Sequence, residues 1–256
     1  MSGLLEGKTA LILGVANRWS IAFAIAQAYR REGGGVILTY QGERQKLNVE
    51  ELAQEIGAAA VIPCDVTPEH ELGGLAAAVR TAGARLDIMV HSIAFANRED
   101  LSRPFVETSR SGFLLAHEVS AYSLVAVAHA VAPLMNNGGS ILTLTYLGST
   151  RVVTNYNVMG VAKASLEACV RYLASDLGAA NIRVNAISAG PIKTASARGI
   201  KDFSRVLEGA ANRTPFRRNT TPEEVADTAV FLASDLGRGV TGNILFVDAG
   251  FQLMGL

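Results

Sequence analysis

Short apolar runs alternate with helical patterns along the whole chain. Runs at 9–13, 36–40, 60–63, 86–92, 140–146, 183–188 and 243–247 read as strands. Patterns of helical period fill the intervals at 21–32, 43–56, 69–81, 112–134, 157–177 and 222–234. This alternation predicts βαβ units: an α/β, Rossmann-like doubly wound parallel sheet of about seven strands with helices on both faces. Strands covered on both faces should be nearly continuous apolar runs, as Leu11-Ile12-Leu13 and Val36-Ile37-Leu38 are. No repeat, linker or low-complexity tract interrupts the pattern, so one domain over 1–256 is expected. The one irregular stretch, 191–218, follows the sixth strand and holds a short helical segment near 201–209. Ligands of open α/β sheets bind outside the carboxyl ends of the strands, so this stretch is expected to form a substrate lid.

Composition narrows the picture. Hydrophobic residues make up 49% of the chain and charged residues 18%, enough for a large core. The 23 basic residues are interspersed with 23 acidic ones, which excludes a basic nucleic-acid footprint. Cys64 sits in a strand-like run and Cys169 on a helical pattern, so two buried, reduced thiols are expected rather than a disulfide framework or a metal site. His70, His91, His117 and His129 have no metal-ligand spacing and read as structural histidines; no metal is expected. The beginning of the chain lacks a charged segment followed by a long apolar one. The apolar stretch 119–135 is broken by Ser120, Tyr122, Ser123, His129 and Pro133, which suits a buried helix and no membrane span. A soluble, cytoplasmic protein is expected.

A nucleotide site is suggested by the first strand, which ends in Gly14 and leads through Ser20 and Ile21 into a helix. Strand, glycine turn and helix N-terminus form a phosphate cradle in which N–H groups and the helix dipole face an anion. Gly14 is the one glycine of this loop, so G-x-G-x-x-G is absent and an ordinary turn would look the same. The second strand ends at Gln41, which can hydrogen-bond a neutral ribose or adenine edge; this favours NADH, while Arg44 and Lys46 keep NADPH open. After the third strand, Asp65, followed by Val66, can accept from an adenine amino group or merely cap the next helix. The fourth strand ends in Ser92 and Ile93, small and apolar where a ribose would pass.

The next helix carries Tyr156 and Lys163, seven residues or about two turns apart on one face, and Tyr146 ends the strand before it. A phenol supplies a hydrogen-bond donor and a proton; a nearby ammonium favours the phenolate and can bind ribose hydroxyls. Two residues snorkelling on a helix surface would share the spacing. The nucleotide cradle at the same strand ends favours the catalytic reading.

The motifs run nearly end to end. They include Gly14-Val15-Ala16-Asn17, Ser20-Ile21-Ala22, Cys64-Asp65-Val66, His91-Ser92-Ile93-Ala94-Phe95-Ala96 and Leu142-Thr143-Leu144-Thr145-Tyr146. Further on come Asn155-Tyr156-Asn157-Val158-Met159-Gly160, Ala162-Lys163-Ala164-Ser165-Leu166-Glu167, Arg183 through Pro191, Thr241-Gly242 and Val247-Asp248-Ala249-Gly250. In these the sequence resembles the bacterial enoyl-acyl carrier protein reductases of type II fatty acid synthesis, divergent members of the short-chain dehydrogenase/reductases. The carbonyl-reducing relatives use Tyr-x-x-x-Lys and a serine seventeen residues before the lysine. Here Met159 stands four before Lys163 and Tyr146 stands seventeen before it. Ala94 stands where many relatives have glycine.

The resemblance implies conjugate reduction of an enoyl thioester on acyl carrier protein with NADH. It implies that Tyr156 binds the thioester oxygen, that Lys163 holds the nicotinamide ribose, and that Tyr146 relays a proton or orients its neighbours. Ala96 is implied to offer backbone contact to substrate. Ile192, Lys193, Thr194, Ala195 and Ser196 are implied to lie against the nicotinamide and to begin the lid. The helices at 112–134 and 157–177 are apolar over more than one face, which calls for a second buried surface; the resemblance implies a homotetramer.

Overall fold

The computed structural model describes residues 3–67, 69–82, 85–194 and 203–255. All seven expected strands form in one parallel sheet: β1 Thr9–Leu13, β2 Gly35–Tyr40, β3 Ala60–Pro63, β4 Ile88–His91, β5 Gly139–Thr145, β6 Ile182–Ala189 and β7 Ile244–Val247. Their spatial order is β3-β2-β1-β4-β5-β6-β7. The order reverses between β1 and β4, so a crevice opens there at the carboxyl ends of the strands. Along β1, Ala10 and Ile12 enter the apolar layer on one face, and Leu11 and Leu13 the layer on the other. Helices α1 (Ile21–Arg31), α2 (Glu43–Ile56) and α9 (Pro222–Ala233) cover the first face. The second is covered by α3 (Glu69–Thr81), α6 (Ser123–Val131) and α7 (Asn157–Leu177).

The expected helix over 112–134 is instead four pieces. Helix α5 (Arg110–His117) passes into a π turn at Glu118–Tyr122 before α6 resumes, and a 3-10 turn at Ala132–Leu134 ends it. Pro133 explains the ending, because it has no N–H to continue the ladder. The π turn has a tertiary cause. Ser120 Oγ accepts from the Phe95 N–H (3.0 Å) and lies 3.1 Å from the Phe95 carbonyl, and Ser123 Oγ donates to Val119 O at 2.6 Å. Such bulges recur at functional sites, and here the widened turn meets the end of β4. The stretch Arg110–Leu134 is the one helical stretch among the described residues long and apolar enough to cross a membrane, but half of it is buried on the sheet.

Two further elements were not anticipated from the pattern: a five-residue helix α4 (Arg98–Ser102) and a 3-10 turn at Phe105–Glu107. The strand expected at 86–92 is shorter. Asp87 lies just before it and is held by side-chain bonds, accepting from Thr9 N (3.0 Å) and Arg85 (2.9 Å). The segment 191–218 contains helix α8 (Phe203–Arg213), which runs beyond the 201–209 expected.

Candidate active site

A cavity of about 940 Å³ runs from the α1 N-terminus to the start of α7. Gly14 forms its floor at the nucleotide end with φ +90°, and a Cβ there would stand 1.9 Å from the Ser92 carbonyl oxygen. Only glycine lets β1 turn this close to β4. Ser20 caps α1: its Oγ accepts from Phe23 N (3.2 Å) and donates to Asn17 O (2.7 Å). Its hydroxyl thus orients the helix N-terminus, and what faces the cavity there is the glycine turn and the dipole end of α1. The cradle fits a phosphate-bearing group.

Of the residues singled out in the sequence, Gly14, Ser20, Ile21, Ser92, Ile93, Ala96, Tyr146, Tyr156, Lys163, Ile192 and Thr194 border one cavity. Gln41, Asp65 and Val66 do not line it. They lie at the ends of β2 and β3, in line with the cradle but beyond it. Gln41 Nε2 donates to Asp65 Oδ2 at 2.9 Å, and Asp65 Oδ1 accepts from the Thr67 backbone (3.0 Å) and hydroxyl (2.8 Å). Val66 is a buried core residue. Lys193 is exposed and is not brought to the cavity. Ala195 and Ser196 lie outside the described residues.

Tyr156 sits at the N-cap of α7, between Asn155 (φ +62°) and Asn157 (φ +32°). Asparagine tolerates this left-handed backbone better than most residues, which lets the chain turn sharply into the helix. Asn157 Nδ2 donates to Arg103 O, tying that turn to the segment after α4. The Tyr156 ring is caged: a Cβ on Gly148 would come within 2.5 Å of it, and a Cβ on Gly160 would stand 2.7 Å from Gly148 O. Tyr156 also meets Tyr146 edge to face, with ring centres 5.0 Å apart. Met159, Val158, Ala162, Ala116 and Leu101 complete the buried cluster around it.

Burial, reinforced by Tyr146 and then Glu167, pushes the Tyr156 phenol far above its ordinary range. Of the two tendencies named from the sequence, a protonated donor and an ammonium that favours the phenolate, burial favours the first, and Tyr156 is a neutral O–H donor. Burial likewise pushes Tyr146 up to about 12. The Tyr146 hydroxyl is buried with no hydrogen-bond partner, which costs free energy unless a ligand completes it.

Lys163 is buried and donates to Leu144 O at 2.8 Å. Burial pulls its ammonium down to about 8, with Glu167 opposing the fall. Beneath it, His91 lies between Thr143 Oγ1 (3.0 Å) and Ser123 Oγ (2.8 Å); burial first, and then Lys163, hold it down to about 3. The imidazole is therefore a neutral strut between β5 and the start of α6.

Two features of the site escaped sequence reasoning. Asp100 on α4 is buried, accepts from Ser109 N (2.9 Å) and Ser109 Oγ (3.3 Å), and so pins the cavity wall to the α5 N-cap. Gly112 has room for no side chain beside it, since a Cβ would meet Asp100 Oδ2 at 1.8 Å. Phe203 lines the cavity from the far side of the 191–218 segment.

A parallel doubly wound sheet whose crevice holds a buried phenol and a buried ammonium defines a reductase of the short-chain dehydrogenase class. Within it, the chain belongs to the enoyl-(acyl carrier protein) reductase family, whose model matches residues 14–252. It is 55% identical to the NADH-dependent enoyl-[acyl-carrier-protein] reductase of Bacillus cereus over 98% of this chain and 99% of that one. With the Bacillus subtilis enzyme of the same name it shares 52% identity, over 99% of each. Among solved structures, the B. cereus enzyme with NADP+ and an indole naphthyridinone superposes with a TM-score of 0.97, covering 99% of this chain and 100% of that one at 55% identity. The Anaplasma phagocytophilum reductase in complex with NAD gives 0.96 at 45% identity, covering 100% of this chain and 98% of that one.

Proposed function

We propose that this protein reduces the conjugated double bond of a trans-2-enoyl thioester on acyl carrier protein, with NADH preferred over NADPH, to give the saturated acyl chain of fatty acid elongation. The observation that carries this reading is the buried Tyr156 phenol on the cavity, seven residues before Lys163, with Met159 packed where carbonyl-reducing relatives carry their tyrosine. A phenol displaced by almost a turn suits an oxygen one conjugated bond further from the carbon being reduced.

The Gly14 turn and the α1 N-terminus would receive the pyrophosphate, with Ser92 and Ile93 along the ribose and Ile192 and Thr194 against the nicotinamide. The Gln41–Asp65 pair would meet the adenosine end, where a carboxylate behind Gln41 disfavours a 2′-phosphate. When bound, the reduced nicotinamide supplies a hydride. Lys163 would donate to its ribose hydroxyls and so hold it in the cavity. Tyr156 donates to the thioester oxygen as negative charge develops there, in a desolvated setting where such a bond is strongest. Tyr146 borders the same space, and its unpaired hydroxyl suits either a proton relay or the orientation of Tyr156. Ala96 offers backbone contact to the acyl chain. Thr194 and Phe203 both border the cavity, which supports reading the segment 191–218 as a substrate lid.

The reading extends to a homotetramer in the cytoplasm. It is supported by the outer faces of α5, the π turn and α7, where Leu114 and Tyr122 are exposed on an apolar groove and Val161 and Tyr172 of α7 are exposed as well. Contiguous apolar exposure of this kind marks an interface. Thiols kept away from the surface, with Cys64 buried and Cys169 half-buried, suit a reducing compartment.

The testing experiment supplies crotonyl and acetoacetyl thioesters side by side, each with NADH and with NADPH. Oxidation of NADH with the crotonyl substrate, faster than that of NADPH, is expected. Oxidation with the acetoacetyl substrate alone would overturn the reading in favour of a carbonyl reductase.

A further inference from the structure

One turn beyond Lys163 on α7 stands Glu167, a carboxylate that is 7% exposed. Burying such a charge costs several kcal/mol unless it is hydrogen-bonded and faces a cation. Its bond is to the strand below: Thr145 Oγ1 donates to Glu167 Oε1 at 2.7 Å. The residue before Thr145 supplies Leu144 O, which accepts from Lys163 Nζ at 2.8 Å. Consecutive residues of β5 are therefore clamped by two charged side chains of α7, and the next residue along the chain is Tyr146. Residues four apart on a helix are neighbours at about 5–6 Å between Cβ atoms, so the carboxylate lies within Coulombic reach of the ammonium.

We propose that Glu167 is a positioning residue for the reaction: its carboxylate, aimed by Thr145, balances the Lys163 ammonium and fixes the end of β5 that carries Tyr146. Glu167 does not line the cavity, so its action passes through Lys163 and the strand. The other titratable groups around Lys163 do not share the task. His91 on β4 is neutral, and Tyr146 and Tyr156 are protonated phenols. Asp100 on α4, across the cavity, is held by Ser109. Glu167 is the group that raises Lys163 against burial.

The inference rests on Lys163 serving as the cation that holds the cofactor ribose, and the test separates the two. A protonated Lys163 is present below its pKa and lost as pH rises through it, so wild-type kcat/KM for crotonyl thioester reduction falls on the alkaline side. Glu167→Gln keeps the acceptor for Thr145 and nearly the same volume while removing the charge. Without the carboxylate, Lys163 loses its proton earlier and the alkaline limb moves down by about one pH unit. The loss relative to wild type is then about tenfold larger one unit above the wild-type limb than well below it. Thr145→Val, which leaves the carboxylate unaimed, moves the limb in the same direction by less and serves where Glu167→Gln fails to fold. A limb at the wild-type position in the folded variants, with a loss uniform in pH, would show a merely structural role and overturn the proposal. A wild-type enzyme with no alkaline limb would instead overturn the assignment of Lys163 on which it rests.

Discussion

Tyr156→Phe is expected to lower kcat for crotonyl thioester reduction by about 10²–10³-fold, roughly 2.7–4 kcal/mol of transition-state stabilisation. The substitution removes one oxygen from a ring otherwise held by Gly148, Gly160 and Tyr146, so the fold and the cavity shape persist. What disappears is the donor to the thioester oxygen. Because burial keeps the phenol protonated far above its ordinary range, the wild-type donor is present at every working pH, and the loss should be independent of pH. KM should change much less than kcat, since the bond matters most when charge has developed. Steady-state kinetics with a melting curve for each protein check this. Wild-type turnover in a folded Tyr156→Phe enzyme would remove Tyr156 from the mechanism.

Gly14→Ala is expected to weaken NADH binding by roughly 100-fold, as a misplacement of about 1 Å in a positioned site does. Two costs combine. The backbone at φ +90° is one that a side chain rarely adopts, at about 1–2 kcal/mol. The added methyl would also stand 1.9 Å from Ser92 O, which belongs to a neighbouring strand end and cannot rotate away. Relief requires β1 and β4 to part where Ser92 N donates to Leu13 O, at about 1–3 kcal/mol. Fluorescence titration with NADH should show the loss, and Tm should fall by roughly 10 °C. Unchanged affinity together with an unchanged Tm would mean that the cradle is not the nucleotide seat.

The sheet was legible in the sequence because parallel strands buried on both faces leave continuous apolar runs, which no helix start or turn imitates here. Tyr156 and Lys163 were legible because one helix fixes their separation. What escaped depends on contacts between distant segments. The π turn at Glu118–Tyr122 arises from Ser120 meeting Phe95, 25 residues away in the chain. Asp100 became a wall residue only through Ser109, and helix α4 is too short to carry a period. Glu167 reads in sequence as one more polar helix position; its burial against Thr145 makes it a partner of Lys163. The state of Tyr156 also needed the structure, since it is set by burial and by Tyr146 and Glu167 nearby, which only the packing brings together. Lys193 teaches the same from the other side: adjacent to Ile192 in sequence, it is exposed and does not line the cavity.

The central claim is that the reacting carbon is the β-carbon of an enoyl thioester. Reduction of crotonyl thioester with NADH carrying deuterium at the transferable C4 position tests it directly, with the product read by NMR. Deuterium at C3 of a saturated butyryl thioester is the predicted result. Deuterium at C1, in an allylic alcohol or aldehyde, or at C2 of the saturated product would contradict it.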